Sequence, residues 1–109
     1  MNDESERRLA RNEILFRETN EAIERGQWPD DPYKSVRFRC ECSQMDCGQS
    51  VELTLGDYED VRRFPRRFVI APGHETPEIE TVIERDSGYM IVEKQDVAGA
   101  TAAANDPRR

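Results

Sequence analysis

Residues 4–26, "ESERRLARNEILFRETNEAIERG", place Leu9, Phe16 and Ile23 seven positions apart, with Leu15 and Ala22 beside them. That spacing lays one apolar stripe along a helix. Ser5 is the expected N-cap and Gly26 the expected stop. Glu21 and Arg25 stand four apart and are set to pair, a contact worth about 0.3 kcal/mol. Asn12 and Thr19 interrupt the stripe, so a continuous coiled-coil seam would be weak. The stripe either packs on the chain's own domain or meets a partner, and in the second case Leu9, Phe16 and Ile23 are the contact residues.

The next stretch, "QWPDDPYKS", has two prolines and reads as a linker. Trp28, the sole tryptophan, either pins it to the core or stands exposed as a binding hot spot. "SVRFRC" and "SVELTL" alternate apolar and polar residues, as half-buried strands do. They flank the cysteine-bearing loop, which places the cysteines at a hairpin tip. "TLGDYEDVRRF" predicts a short helix capped by Thr54, buried through Tyr58, Val61 and Phe64, and ended by Pro65. "RFVIA", "IETVIER" and "GYMIVEK" predict three more strands, the last two joined at "DSG". Residues 96–109 lack a large apolar anchor after Val97 and are expected to be a disordered tail.

Composition narrows the picture. Of 109 residues, 36% are apolar and 36% charged, so the core is thin. Small domains of that kind often need a disulfide or a metal as a staple. The formal charge of −7 argues against gripping phosphate backbones as the main task. No apolar run approaches the roughly 18 residues of a membrane helix. "MNDESERR" lacks the apolar centre of a signal peptide, so a cytoplasmic location is expected. There thiols stay reduced, and clustered cysteines bind metal more often than they form disulfides.

"RCECSQMDCG" holds every cysteine of the chain, Cys40, Cys42 and Cys47, and the only histidine, His74, follows in "PGH". Together they make one complete Cys3His set, which suits tetrahedral zinc. Cys40 and Cys42, two apart on an extended strand, share a face. Gly48 is expected to permit the turn that brings Cys47 round. His74 sits on a turn after a predicted strand, which carries it to the cluster. A set of four closes the shell, the mark of a structural rather than a catalytic zinc. If His74 were not a ligand, Asp46 or water would take its place and a metalloenzyme reading would return, with Glu75 as the base. An iron–sulfur cluster also accepts three Cys and one His.

No P-loop, dinucleotide fingerprint or G-x-S-x-G elbow is present. With the one imidazole bound to metal, no Ser–His or Cys–His pair is left. "RRFPRR" is the one positive cluster. Its arginines either pair with nearby Asp57, Glu59 and Asp60, or Arg62, Arg63, Arg66 and Arg67 dock an acidic protein partner or, less in keeping with the net charge, nucleic acid.

"RNEILFRETNEAIE", "FRCECSQMDC", "ELTLGDYEDVR", "RFVIAPGH" and "GYMIVEK" resemble, in order and spacing, an uncharacterised family of small, mainly actinobacterial proteins with a Cys-x-Cys-x4-Cys motif and a later Pro-Gly-His motif. The resemblance covers residues 7–94. It implies a bacterial cytosolic protein, supports grouping Cys40, Cys42, Cys47 and His74, and carries no activity with it.

The expected fold is α+β: a helix over residues 1–27, a zinc-binding α+β domain over 28–95 with a small, mainly antiparallel sheet and a short inserted helix, and a tail over 96–109. The expected function is a small zinc-stabilised, regulatory protein-interaction module that is not an enzyme. The alternatives are a metalloenzyme with an open zinc or a nucleic-acid binder through Arg62–Arg67.

Overall fold

The computed structural model describes residues 2–27 and 31–108, and the role expected of Trp28 lies outside the described residues. The fold is α+β. Helix α1 spans Asp3–Gln27, one residue past the expected stop. Its first turn is capped by Asn2, whose Oδ1 accepts from the Ser5 N–H at 2.8 Å, so the cap lies three residues before the expected Ser5.

The buried face of α1 is rotated from the apolar stripe by about one position. It carries Ala10, Glu13, Ile14, Phe16, Arg17, Asn20, Glu21 and Glu24. Phe16 is buried beneath the Arg39 guanidinium, 4.1 Å from its ring centre. Leu9 packs beside Ala10, Ile79 and Ala98, and Ile23 beside the main core. Leu15 and Ala22 face outward. Phe16 is therefore turned onto the chain itself, and Leu9 and Ile23 are partly so, which leaves no continuous apolar stripe of the three facing solvent. The cause is that α1 buries charges that have partners, and apolar periodicity is blind to these.

Strands β1 (Ser35–Arg39) and β2 (Ser50–Thr54) form the expected antiparallel hairpin. Val36 faces Leu53 and Phe38 faces Val51, all four buried. Helix α2 (Leu55–Arg62) follows at once, and the Thr54 hydroxyl accepts from the Asp57 N–H at 3.0 Å, the expected cap. Leu55, Tyr58 and Val61 point inward. Phe64 does not. The helix ends before it, and the exposed ring lies 3.9 Å beneath the Arg67 guanidinium.

Strands β3 (Arg67–Ile70), β4 (Glu80–Arg85) and β5 (Met90–Lys94) make a second antiparallel sheet in the order β3-β5-β4. The strands thus divide between two sheets where one was expected. One side chain stops β1 from joining the second sheet over its full length. Asn20 occupies its edge, donating to the Arg39 carbonyl at 2.8 Å and accepting from the Arg39 N–H at 2.7 Å. Beyond it, only the Glu41 N–H reaches β3, donating to the Val69 carbonyl at 2.8 Å.

The expected disordered tail is instead a helix, α3 (Asp96–Ala104), packed against α1. Ala98, Gly99 and Ala102 are buried, and the Ala102 carbonyl accepts from Arg17 Nη2 at 3.0 Å. Alanine has the highest helix propensity, and small side chains dock by close approach where large anchors would not fit. Gly99 shows how close. A Cβ built there would lie 2.7 Å from the Lys94 carbonyl oxygen and 2.7 Å from Arg66 Nη1. The Gly99→Ala variant is expected to lose about 1–3 kcal/mol by overpacking, although alanine favours helix. Urea unfolding beside the exposed Ala100→Ser control checks this, and an unchanged midpoint for Gly99→Ala would show that α3 has room to shift.

Buried ion pairs fasten the layers. Lys94 sits between Glu13 and Glu80, with all three side chains sealed from solvent. Arg62 is sealed too, donating to Glu21 and Asp106 at 2.5 Å each. Arg108 spans Glu21, Glu24 and Glu59 at 2.6–2.9 Å. Glu21 is therefore spent on Arg62 and Arg108 rather than on Arg25.

The positive cluster does not survive as one surface. Arg62 is an internal strut and cannot reach a partner. Arg67 is half-buried and paired with Glu93 at 3.0 Å. Arg63 is exposed and 3.3 Å from Asp60, which leaves Arg66 as the exposed arginine without an ion pair among the described residues.

Candidate metal centre

The ligand loop starts where β1 stops. Cys40 N–H donates to the Gln49 carbonyl at 3.0 Å, which closes the loop at its base. Inside it, the Cys47 N–H donates to the Gln44 carbonyl at 3.0 Å, a turn that folds the third thiol back over the first two. The His74 N–H donates to the Ala71 carbonyl at 3.1 Å, a turn just past β3. Its left-handed residue is Gly73, at φ +85°. That is the conformation only glycine adopts freely. Gly48 has no positive φ, so the backbone licence expected there belongs to Gly73.

These two turns bring Cys40, Cys42, Cys47 and His74 to one point, with all four ligand atoms within 4.8 Å of one another. His74 Nδ1 lies 3.5 Å from Cys40 Sγ and 3.7 Å from Cys47 Sγ. A tetrahedral shell with metal–sulfur bonds of about 2.3 Å and metal–nitrogen bonds of about 2.0–2.1 Å has edges of roughly 3.5–3.8 Å. The two imidazole–sulfur distances match those edges, so the four residues could hold one metal ion, and the three cysteines are free thiols. Asp46 and Glu75, the carboxylates considered as a replacement ligand and as a base, do not join the group.

No family model, curated protein or solved structure matches the chain. What the site can do rests on its own residues. Cys40 and Cys42 are fully buried, and Cys47 and His74 are half-buried. The Ala71 N–H donates to Cys40 Sγ at 3.1 Å, the outer-shell bond that a metal-bound thiolate accepts. The hydrogen bond with Cys40 holds Cys42 down at about 5 against its burial, helped by the Gln44 backbone, His74 and Cys47. The same shared bond, followed by burial, pushes Cys40 up. Cys40 and Cys42 thus share a proton between them, which metal binding would displace.

The scaffold around the ligands is dense. Arg39 Nη2 donates to the Cys47 carbonyl at 2.8 Å. Asn12, the expected interruption of the helical stripe, donates to the Ser43 carbonyl at 2.9 Å and so ties α1 to the loop. The Ser43 and Thr76 hydroxyls lie 2.9 Å apart and join the two ligand turns.

Glu41, between the first two cysteines, is the hub that sequence reading missed. It is fully buried. Its carboxylate accepts from Asn20 Nδ2 at 2.8 Å, the Tyr58 hydroxyl at 2.8 Å and the Val69 N–H at 2.9 Å. One side chain thereby joins α1, α2 and β3 to the metal loop. Burial pushes its pKa up and these three donors oppose that shift. A carboxylate in a polar loop looks solvated in a sequence, and only its alternation out of phase with two candidate ligands marked it.

Proposed function

We propose that the protein is a small zinc-stabilised protein-interaction module that acts by binding and catalyses nothing by itself. The observation that carries this reading is the convergence of one complete Cys3His set, with two of its thiols sealed from solvent. Zinc takes four such ligands at these distances, and a shell filled by protein has no open position for water or substrate. An iron–sulfur cluster would spread its ligands around several metal atoms. The sole imidazole and every thiol are spent on the metal, so no cysteine or serine keeps a histidine base. A protein with a fixed, stapled scaffold and no standard catalytic set works through its surface, which accords with a regulatory role. No helix among the described residues is long and apolar enough to cross a membrane.

X-ray absorption on protein prepared without added metal is expected to give one zinc per chain with three sulfur neighbours and one nitrogen. His74→Ala should open that shell and weaken retention. Water in the first shell of the unaltered protein would turn the reading toward a metalloenzyme. Affinity capture from the native host, with Cys42→Ser protein beside the unaltered chain, tests the binding half. A partner retained only by the zinc-loaded form is the expected result.

A further inference from the structure

A cleft between α2 and the three-stranded sheet has a composition that the positive cluster obscured in the sequence. Its floor is Val61 and Ile91, both buried. Its rims are Phe64 from the end of α2 and Ile83 from β4, exposed by 44% and 42% and so among the few large apolar side chains left in solvent. Tyr89 is half-buried in its wall. Asp57 and Asp60 on α2 and Glu84 on β4 face the same space. Arg67 closes one end, already stacked on Phe64 and paired with Glu93. Asp60 has Arg63 at 3.3 Å, whereas Asp57 and Glu84 have no ion pair among the described residues.

Size and charge select the occupant. The cavity is about 170 Å³, below the roughly 300–1,000 Å³ of a metabolite pocket, and so has room for one long side chain. An apolar floor, aromatic walls and carboxylates at the mouth suit a side chain with an aliphatic stem and a cationic head, which snorkels and meets ring faces favourably. Burial and the nearby Asp57, Asp86 and Glu84 charges push the Tyr89 phenol up, so it stays a neutral donor. The chain as a whole carries −7, which draws cationic partners over longer range. β4 is one of the two outer strands of its sheet, so no further strand of that sheet lies beyond Ile83 and Glu84.

We propose that this cleft docks a basic segment of a partner protein, taking one lysine or arginine side chain between Phe64, Ile83 and Tyr89, with flanking apolar residues of that segment on the rim. The proposal rests on the interaction-module reading and names its partner chemistry, which is the reverse in sign of the acidic partner expected for the arginine cluster.

Random dodecapeptides displayed on phage, selected on the zinc-loaded protein, are the probe. Enriched sequences are expected to share a Lys or Arg beside a bulky apolar residue. The best of them, made with a fluorescent label, should bind more weakly as salt rises. It should lose about tenfold in affinity to Asp57→Asn/Glu84→Gln protein, and lose nothing to the Glu18→Gln control on the exposed face of α1. On titration into the unaltered protein, the NMR resonances of Ile83, Tyr89 and Ile91 should move, a readout independent of whether any variant folds. Enriched peptides without a common basic residue, or equal binding to the double variant, would overturn the proposal. Peptides that shift resonances elsewhere would overturn the cleft and leave the interaction reading standing. A folded, zinc-loaded protein that enriches nothing would sink both.

Discussion

Stripping the metal with a high-affinity chelator is expected to abolish the cooperative unfolding transition rather than lower its midpoint by a few degrees. The four candidate ligands come from a loop after β1 and a turn after β3, so a bound ion would join the two sheets. Without it, the backbone join between them at that point is the single Glu41–Val69 bond. Coupled zinc binding and folding is worth on the order of 10 kcal/mol in small peptides, and a whole small domain is stable by roughly 5–15 kcal/mol. The first quantity matches or exceeds the second, so the apo chain should not hold its tertiary packing. Cys42→Ser should reproduce the effect, because its thiol is buried and no water can replace it. Cys47→Ser, at a half-buried position, should do less. Near-ultraviolet circular dichroism and thermal melts with and without chelator read the outcome. A sharp melt at an unchanged temperature in metal-free protein would falsify the structural role. Because the ligands bind deprotonated, acid should release the metal and destabilise the protein by the same route.

Lys94→Met should be nearly as damaging, and its pH dependence has the opposite sign. The ammonium is sealed between Glu13 and Glu80, with the Phe68 ring centre 5.2 Å away. Removing the only cation between two buried carboxylates leaves them uncompensated, at a cost of about 3–5 kcal/mol. Burial already raises Glu13 to about 7 even though Lys94 pulls it down. A carboxyl whose folded pKa is raised favours the fold below its unfolded value near 4.5, and that contribution is lost as pH rises through about 7. Taking Lys94 away pushes Glu13 higher still. The gap between Lys94→Met and the unaltered protein should therefore be widest at pH 8 and shrink toward pH 6, where a proton replaces the missing cation. Guanidinium unfolding at the two pH values measures this. The triple variant Lys94→Met/Glu13→Gln/Glu80→Gln should recover much of the loss, since a neutral cluster has no charge to desolvate. A gap of equal size at both pH values would mean that Lys94 matters for its packing alone.

The Cys3His cluster was more legible in the sequence than the fold that holds it. A ligand set is an inventory: three cysteines and one histidine complete a tetrahedron whatever lies between them, and Pro72-Gly73 marked the turn that places His74. All five strands and two of the helices were also legible, because alternation and a Thr cap act within a few residues. What escaped depends on partners far along the chain. The face of α1 was misjudged because Glu13, Arg17, Asn20, Glu21 and Glu24 look like solvent-facing residues until Lys94, Ala102, Arg39, Arg62 and Arg108 arrive to meet them. Helix α3 escaped because its packing is made by the absence of side chains, at Ala98, Gly99 and Ala102, and a search for large apolar anchors passes over it. Its high alanine content was the available clue. The positive cluster misled in the same way: Arg62 is buried one residue before the exposed Arg63, and one-dimensional charge density cannot tell a strut from a surface.

The bond between Arg17 and the Ala102 carbonyl joins residues 85 positions apart. On a ribosome adding about 5–20 residues per second, Arg17 must wait roughly 4–17 seconds before that acceptor has even been made. Glu21 waits longer still for Arg108. Isolated helix turns form in under a microsecond, so α1 can be helical throughout that interval while the charges on its inner face stay hydrated and unmet. Those hydrated charges would keep a nascent helix soluble where an apolar stripe would seek the nearest hydrophobic surface. The buried acids and arginines of α1 thus give the chain a first helix that can wait for its last.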